Sequence, residues 1–329
     1  MKTNFNVAYL IMCHKNPNQV NRLISKLQSD DSVCFVHVDS QADFTFENIG
    51  GGVLTKKSYH GVLGSYSLVQ ISDELMRCAK EYEKDKGIHF SYFCLMSGQD
   101  YLLNNVAFIH EKLFENYPTP YIDCTPCAKG NWVYNGSSHS VWWNTANQKI
   151  NQWLPNPGVM RKLVKAPMLV ADLITRNWAN PRAKLSKNQI DLYGGSAWWI
   201  LPDMMVSYLL ETAKRLGPGN KFYPLTGVGV PEENYYQTLL MNSEFKNLIR
   251  VNPPEMVAQN CKTYANFSPE GKPFTGHPYI LTMEDTTRLA EVAKNRFLAR
   301  KFDETVDSSV FDWIDENLLC NKNKHVGGN

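Results

Sequence analysis

Two adjacent glutamates follow a proline late in the chain, in the run Pro231-Glu232-Glu233. The residues after them predict a helix over 232–241, with both acids in its first turn. A glutamate there can serve as a general base that removes a proton from a hydroxyl group. Proline followed by acids is also the ordinary composition of a first helical turn, because the helix dipole favours negative charge there. Composition alone favours this second interpretation.

The same dipole bears on how the two acids would differ. We expect it to depress the pKa of Glu232, which fits the capping interpretation. A base at Glu233 would need partial burial or a suitable neighbour to keep its basicity.

Polar residues also follow three predicted strands. The predicted strands are the short apolar runs 7–13, 33–38 and 90–96. His14, Asp39 and the run 97–100 come directly after them, where open α/β sheets bind ligands. A carboxylate placed like Asp39 can accept hydrogen bonds from a ribose, and it can equally be a helix-capping or loop residue. No Gly-x-Gly-x-x-Gly follows the first strand, which disfavours a nicotinamide-dependent oxidoreductase.

A basic group lies near the carboxyl end of the chain. Arg296, Arg300 and Lys301 follow a helix predicted over 284–295. Such a group can bind a phosphate, and it can equally be a solvated face, which the residues alone favour. Cys124 and Cys127 form a lone Cys-x-x-Cys without a second pair at zinc spacing, so no metal or redox site is predicted.

Strands and helices alternate along most of the chain, which is typical of an α/β protein with a mostly parallel sheet. Asn16-Pro17 provides a helix N-cap and first-turn proline between the first two strands, a βαβ unit with a right-handed crossover. Residues 129–188 lack clear periodicity and predict an irregular, Trp-rich binding region. Further helices are predicted from Ser65, from Asn105 and from Asp203 and over 308–319, and further strands over 120–124 and 196–201.

Composition excludes some classes of protein. The 329 residues are 43% hydrophobic and 20% charged, and the net charge of +2 gives no reason to expect nucleic acid as a partner. Eight Trp and 16 Tyr suit stacking on sugar rings, although large aromatics equally fill cores. The most apolar stretch, 190–210, is interrupted by Gly, Pro and Asp, so no transmembrane segment is predicted. The eight cysteines show no framework and are interpreted as reduced.

Six segments, each weak alone, gain weight from their order along the chain. They are HVD (37–39), LGSYSLVQ (63–70), LMSGQDYLL (95–103), LYGGSAWW (192–199), PEENYYQTLL (231–240) and FLARKFD (297–303). With these segments in this order, the chain resembles the core-2/I-branching β-1,6-N-acetylglucosaminyltransferase family from about residue 7 to residue 319. That family also includes the peptide xylosyltransferases.

The resemblance implies a GT-A-type fold and transfer of a sugar from a UDP-sugar, with inversion at the anomeric carbon and without a metal. Metal-using relatives place an Asp-x-Asp where this chain reads Ser97-Gly-Gln-Asp100, and one carboxylate cannot supply the pair. We therefore expect no cofactor besides the UDP-sugar co-substrate. Lys301 matches the family's diphosphate-binding lysine, with Arg300 beside it, where a cation stabilises the departing diphosphate.

The resemblance also implies roles for single residues. Glu233 is the expected catalytic base. The expected contacts to the nucleotide are His14, Asp39, Ser65, His277, Arg300 and Lys301. The expected contacts to the sugar and acceptor are Asp100, Gly195, Ser196 and Trp198. The family's second basic contact to the diphosphate is an arginine that has no match here, which leaves Lys272 and His277 as candidates. Trp198 and Trp199 would point to opposite faces of a strand, so at most one faces the sugar.

We expect one continuous catalytic domain. Its parts are a nucleotide-sugar-binding half over 1–128, an acceptor-side insertion over 129–188, a catalytic half over 189–320 and a tail over 321–329. The expected activity moves N-acetylglucosamine onto a hydroxyl of a glycan, polysaccharide or lipid-linked saccharide, with a β-linkage. Transfer of xylose, or a non-catalytic carbohydrate- or nucleotide-binding module, remains an alternative. The expected location is cytoplasmic, with peripheral attachment at the inner face of the membrane left open.

Overall fold

The computed structural model describes residues 5–154, 158–253, 260–274 and 276–320, so the predicted tail over 321–329 lies outside the described residues. The strands are β1 Asn6–Cys13, β2 Ser32–Val38, β3 Val53–Leu54, β4 Phe90–Ser97, β5 Asp100–Leu102, β6 Thr125–Pro126, β7 Tyr193–Gly194, β8 Trp199–Pro202, β9 Thr263–Ala265 and β10 Leu298–Arg300. The α-helices are α1 Pro17–Leu27, α2 Ser67–Lys86, α3 Val106–Glu115, α4 Trp132–Gly136, α5 Val141–Trp153, α6 Val159–Ala179, α7 Pro181–Lys187, α8 Asp203–Lys214, α9 Tyr235–Met241, α10 Thr286–Val292 and α11 Ser309–Ile314.

Shorter helical turns lie between these elements. Five are 3-10 turns, at Phe46–Asn48, Tyr223–Gly227, Pro231–Glu233, Glu244–Leu248 and Met283–Asp285, and a π-helical turn, Asp315–Leu319, follows α11. In the part of the chain that the structure describes, no helix is both long and apolar enough to span a membrane.

The central sheet has the strand order β3-β2-β1-β4-β8. β1 lies parallel to β2 and β4, and only β8, at one edge, runs antiparallel to its neighbour. The register pairs Cys13 with Val38, and the Asp39 N–H donates to the Cys13 carbonyl at 2.8 Å. The carboxyl ends of β1, β2 and β4 therefore share one edge of the sheet. The predicted α/β class with a mostly parallel sheet is confirmed.

Helices cover both faces of this sheet, because alternate side chains of each strand point to opposite sides. On one face, α2, α8 and α9 bury residues such as Leu75 and Leu239. On the other face, α1, α3 and α11 bury residues such as Leu23 and Phe311. Burial on both faces explains why the strands are continuous apolar runs that the sequence reveals.

A second, small sheet has the order β5-β10-β9 and was not predicted. β10 lies antiparallel to β5 and parallel to β9, with Arg300 opposite Asp100. The predicted helix over 284–295 ends earlier, as α10 at Val292. Arg300 therefore belongs to a strand and not to a solvated face after a helix.

The predicted helix starts are partly confirmed. The Asn105 side chain caps α3 by accepting a hydrogen bond from the Phe108 N–H at 2.9 Å. Asn16 occupies the N-cap position of α1, but its side chain makes no cap. Its amide donates instead to Asp303 Oδ1 at 2.8 Å. A tertiary contact has replaced the local one.

The region over 129–188 was predicted to be irregular, and this is wrong, because it folds into the helices α4 to α7. The prediction looked for a stripe of apolar residues directed toward a core. In α6, the buried residues are instead Asp172 and Ala179, and Pro167 lies inside the helix.

Smaller differences concern the ends of elements. Residues 120–124 form isolated bridges, Tyr121 with Ile200 and Cys124 with Val251, and no strand. β8 begins at Trp199, three residues later than predicted. None of the eight cysteines is in a disulfide. Side-chain periodicity fixes the type of an element better than its ends.

Candidate functional site

The turn that carries Glu233 is fixed by the segment 194–198. Glu233 ends a 3-10 turn just before α9, and the Gly195 N–H donates to its backbone carbonyl at 2.8 Å. The Gln237 amide donates to the Ser196 carbonyl at 2.8 Å. A side chain cannot replace the hydrogen of Gly195, because a Cβ would lie 1.8 Å from the Asp123 carbonyl oxygen. Gly195 therefore lies against the backbone of Glu233, and Ser196 lies against Gln237 of α9. Their predicted contacts with the sugar and acceptor stay predictions.

The Glu233 side chain is half-buried and makes no hydrogen bond or salt bridge with the described residues. Burial raises the pKa of this carboxyl from 4.5 to about 7, and the positive charge of Arg300 works in the opposite direction. A carboxylate with such a pKa can both exist as a base near neutral pH and hold a proton well. This arrangement fits a general base, and the burial expected for that role is present.

Glu232 was expected to have a depressed pKa, and the structure contradicts this. Its side chain is 7% exposed, and burial raises its pKa to about 7. The turn is a three-residue 3-10 helix, so the dipole effect is small compared with desolvation. Glu232 Oε1 accepts a hydrogen bond from the Gly64 N–H at 2.8 Å, and Oε2 has no hydrogen-bond partner among the described residues. Glu232 therefore ties the loop before α2 to the turn of Glu233.

Arg300 lies between acidic groups and an aromatic ring. Its Nε is 3.5 Å from Asp100 Oδ1, and its guanidinium carbon is 4.2 Å from the centre of the Trp198 ring. The negative charge of Glu233 also acts on it. Trp199, the next residue, is 1% exposed and packs edge-on against Tyr236. Trp198 lies outside β8, which begins at Trp199, so the alternation predicted for a strand does not apply to this pair. The predicted contact of Trp198 with the sugar stays a prediction.

Asp100 was predicted to contact substrate, and its burial contradicts a direct contact. It is completely buried, and its two oxygens accept hydrogen bonds from the Ser97 N–H at 2.9 Å and the Ser97 hydroxyl at 3.1 Å. Burial raises its pKa, against the charge of Arg300. Asp100 therefore positions Arg300 from the buried side of its guanidinium. The sequence did not reveal this pairing because the two residues meet only through the β5–β10 register.

Positive charge gathers around the end of β10. Lys15 and the amide of Asn16 both bind the Asp303 carboxylate, so this acid is already engaged in an ion pair with Lys15. Lys301 is half-buried, and within the described residues its ammonium has no acidic partner at salt-bridge distance. Burial, with the charges of Arg300 and Lys15, lowers the pKa of Lys301. An ammonium that is partly desolvated and unneutralised is suited to an anionic ligand.

The strand ends supply two further groups. His14 is a surface residue, and partial desolvation with the charges of Lys15 and Lys301 lowers its pKa, so it is neutral near pH 7. Asp39 accepts hydrogen bonds from the Gly61 N–H at 2.6 Å and from His60 Nδ1 at 3.0 Å. Burial would raise the pKa of Asp39, but these hydrogen bonds hold it below its ordinary value. Asp39 is thus an ionised loop-bonded acid whose charge acts on His14, and His60 is a neighbour that the sequence did not indicate.

Ser65 lies at the start of α2. It is buried, and its hydroxyl bonds the Ser67 hydroxyl at 3.0 Å and accepts from the Ser67 N–H at 3.2 Å. These contacts give it a structural part in the turn that Glu232 holds through Gly64. The predicted contact of Ser65 with a nucleotide stays a prediction.

The candidates for a second phosphate contact lie in an exposed loop. Lys272 stacks over the Tyr279 ring at 5.4 Å, and His277 is exposed. The loop returns beside the site, since the Leu281 N–H donates to the Lys301 carbonyl at 2.8 Å. Arg296, in contrast, binds the Cys261 carbonyl and thereby holds the start of β9, so it is not part of the basic group at Lys301. The choice between Lys272 and His277 stays open.

A possible metal-binding group lies elsewhere. Within the part of the chain that the structure describes, three ligand atoms of His, Cys or acidic residues come within 4.8 Å of one another only at Glu83, His89 and Asp203. The Lys80 ammonium bonds both carboxylates of this group, so a cation already occupies the space between them. The chemistry of Glu233 is separate from this cluster.

The fold and the site together are consistent with a GT-A-like glycosyltransferase. The mostly parallel sheet brings His14 and Lys15 within electrostatic reach of Lys301, and a half-buried glutamate lies within reach of Arg300. The chain belongs to the Core-2/I-Branching enzyme family, whose model matches residues 7–290. The family implies a sugar donor and a glycan acceptor. The match ends before Arg300 and Lys301.

Two curated relatives extend the similarity. The chain is 22% identical over 337 residues to "Xylosyltransferase 2" of Rattus norvegicus and 22% identical over 344 residues to "Xylosyltransferase 2" of Mus musculus. Each alignment covers 95% of this chain and 33% of the relative. The chain therefore spans about a third of the length of these relatives.

Proposed function

We propose that this glycosyltransferase transfers a sugar from a UDP-sugar to a hydroxyl of a glycan acceptor with inversion, with Glu233 as the general base and without a metal ion. One observation carries the proposal. Glu233 is half-buried, has a pKa raised to about 7, and makes no hydrogen bond with the described residues, so its carboxylate is available to an incoming hydroxyl.

In the proposed reaction, Glu233 takes the proton of the acceptor hydroxyl as that oxygen attacks the anomeric carbon. The bond from the anomeric carbon to the diphosphate oxygen breaks at the same time, and its electron pair leaves with UDP. Attack opposite the leaving group inverts the configuration, which gives a β-linkage from an α-linked donor. Gly195 helps to position this base, because its N–H donates a hydrogen bond to the backbone carbonyl of Glu233 at 2.8 Å.

The basic edge supports the leaving group. Lys301 has no acidic partner within salt-bridge distance among the described residues, and Lys15 and Arg300 add to the local positive charge. Preorganised cations stabilise charge that develops on a departing diphosphate, which is the contribution a metal makes in other sites. His14 and Asp39 lie at the adjacent strand ends, and we assign them to the uridine.

The donor sugar has two candidates. N-acetylglucosamine is our first choice, from the resemblance of the six sequence segments. The two curated relatives are xylosyltransferases by name, which favours xylose as the second. Parallel assays with UDP-N-acetylglucosamine and UDP-xylose decide between them.

The test of the base is Glu233→Gln, which keeps the shape of the side chain and removes its basicity. We expect turnover to fall by about 100- to 10,000-fold, while UDP binding by isothermal titration, in buffer with EDTA, stays within about threefold. Glu232→Gln is the matched control, because it makes the same change one residue earlier at a carboxyl already bound to Gly64.

Three outcomes would contradict the proposal. Full turnover of Glu233→Gln would exclude this base, and loss of turnover in EDTA that manganese restores would exclude the metal-independent mechanism. A wild-type protein that binds UDP but transfers neither sugar to any glycan acceptor would instead be a binding module.

A further inference from the structure

The helix α6 has an inverted pattern of burial. Of its 21 residues, those that are buried are Asp172 and Ala179. Asp172 is completely buried, accepts a hydrogen bond from the Ser140 N–H at 2.8 Å, and lies 2.7 Å from His139 Nδ1. The side of α6 that faces the protein is therefore held by an acid, where a helix of a globular protein ordinarily places apolar residues.

The apolar residues of α6 lie on the opposite side. We call this set the outer face of α6, and it consists of Val159, Met160, Leu163, Val170, Leu173, Ile174 and Trp178. Each of these side chains is between 49% and 73% exposed. Positions 159, 163, 170 and 174 repeat at intervals of four and seven, so they form one continuous stripe. Single exposed apolar residues are normal, but a stripe along a whole helix marks a surface that contacts something apolar.

Charge indicates what that surface contacts. Residues 129–188 contain nine Lys and Arg and a single acid, Asp172, whereas the rest of the chain contains 25 basic and 31 acidic residues. Of the four basic residues on α6, Lys162 is exposed, whereas Arg161, Lys165 and Arg176 are half-buried on the side of Asp172. A strongly basic segment on an otherwise acidic chain favours an anionic surface.

We propose that the outer face of α6 docks onto a membrane surface that contains anionic lipids. An amphipathic helix with Leu, Ile and Trp on one face and with polar and basic residues on the rest of its surface lies in the plane of the membrane–water interface. Its charged residues exclude a position across the bilayer. A second copy of this chain is disfavoured, because two equally basic segments would meet.

The segment that contains α6 is attached to the region of the candidate site through α4 and α5. A Cβ at Gly194, beside Gly195, would lie 2.7 Å from the Trp132 ring of α4, which shows how tightly that helix packs there. The Asn144 amide of α5 donates at 2.7 Å to the carbonyl of Gly227, in the turn that precedes Pro231. The basic segment is thus attached to the backbone that carries Glu233, and docking would hold this backbone near the lipid surface.

The test is co-sedimentation of the full chain with vesicles. One vesicle is pure phosphatidylcholine, and the other is phosphatidylcholine mixed in equal parts with phosphatidylglycerol. We expect binding to the anionic vesicle, with loss of that binding as salt is raised. The variant Leu163→Glu/Ile174→Glu should lower the partition coefficient by about tenfold or more. Leu248→Glu, at an apolar residue that is 46% exposed in the 3-10 turn Glu244–Leu248, is the control and should bind like the wild type.

A second variant tests the charge independently of the apolar stripe. Lys162→Gln/Lys187→Gln changes two exposed residues, and we expect about fivefold weaker binding to anionic vesicles for each lysine at low salt. Circular dichroism and thermal unfolding show whether each variant keeps its fold. If one variant fails to fold, the other still decides the question.

Two results would overturn the proposal. One is that the wild type does not bind anionic vesicles, or that the folded variants bind as well as the wild type. The other is a dimer in sedimentation equilibrium that Ile174→Glu abolishes, which would assign the outer face to a second copy of the chain.

Discussion

The turn at Glu233 lies within electrostatic reach of Arg300, the residue before Lys301, and burial acts on the pKa of the acid and of the lysine in opposite directions. On the acidic side, burial raises the pKa of Glu233 to about 7. On the basic side, burial lowers the pKa of Lys301. In both cases desolvation disfavours the charged form. An anionic ligand would therefore stabilise the charged form of Lys301. The proton of an acceptor hydroxyl would neutralise the carboxylate of Glu233.

The two sides differ in how the neighbouring charges are used. Asp303 is occupied by Lys15 and Asn16, which leaves Lys301 without an acid at salt-bridge distance among the described residues. Glu232 is occupied by Gly64, whereas Glu233 makes no hydrogen bond within that same described part. In each pair, one group serves the structure and its neighbour is available. Lys15 and Lys301 are the same residue type, as are Glu232 and Glu233, so residue type cannot distinguish the two roles. Only the contacts in the folded structure do.

The largest effect on the basic side should come from Lys301→Ala. We expect kcat/KM to fall by about 100- to 1,000-fold, because a cation that stabilises the leaving diphosphate is lost. UDP binding should weaken in parallel. Lys15→Ala is the control, since Lys15 already binds Asp303, and its effect should be at least tenfold smaller. Equal losses of kcat/KM in Lys301→Ala and Lys15→Ala would contradict the proposal that Lys301 alone is available to the diphosphate.

On the acidic side, Gly195→Ala tests the backbone that holds Glu233. A Cβ at this position would lie 1.8 Å from the Asp123 carbonyl oxygen, so the segment must move. We expect kcat to fall by about 100-fold, as for a displacement of about 1 Å in a catalytic group. Gly217→Ala is the matched control, because within the described part of the chain no atom beyond its two chain neighbours lies within 4 Å of the added Cβ. A fully active Gly195→Ala would mean that the contact with the Glu233 carbonyl does not position the base.

The pH profile should report Glu233 alone. The base works as a carboxylate, so kcat/KM should be level above about pH 7 and fall tenfold for each pH unit below it. His14→Asn should keep the same midpoint, because desolvation and the charges of Lys15 and Lys301 lower the pKa of His14, away from that of Glu233. Disappearance of the acidic limb in His14→Asn would assign the titration to the basic side.

The smallest effect on turnover should come from Glu232→Gln, and it should show in stability instead. The folded pKa of Glu232, about 7, is above its ordinary value of 4.5, so the folded state binds more protons between these two pH values. The wild type therefore loses stability as pH rises through this window. We expect Glu232→Gln to raise the free energy of unfolding by about 2 kcal/mol at pH 8 and to change it little at pH 4. Chemical denaturation at both pH values measures this, and equal changes at both would contradict it.

Much of the fold could be predicted from the sequence. β1, β2 and β4 are apolar on both faces, so their runs are visible without any partner, and Asn105 caps α3 by a contact three residues away. β10 has three residues and forms only because β5 and β9 lie on either side of it. The helix α6 was missed because its apolar residues face away from the protein. Prediction succeeds where the stabilising contacts are local or the burial is symmetric.

The sequence by itself determined the α/β class, the basic pair at 300–301 and Glu233 as the candidate base. Only the tertiary structure decided which of two adjacent glutamates is available, because Gly64 is 168 positions from Glu232 in the chain. It also decided that Asp100 supports Arg300 and that Asp303 is bound by Lys15, 288 positions away. The physical reason is that pKa and hydrogen bonding depend on burial and on distant neighbours, which residue type and spacing do not contain.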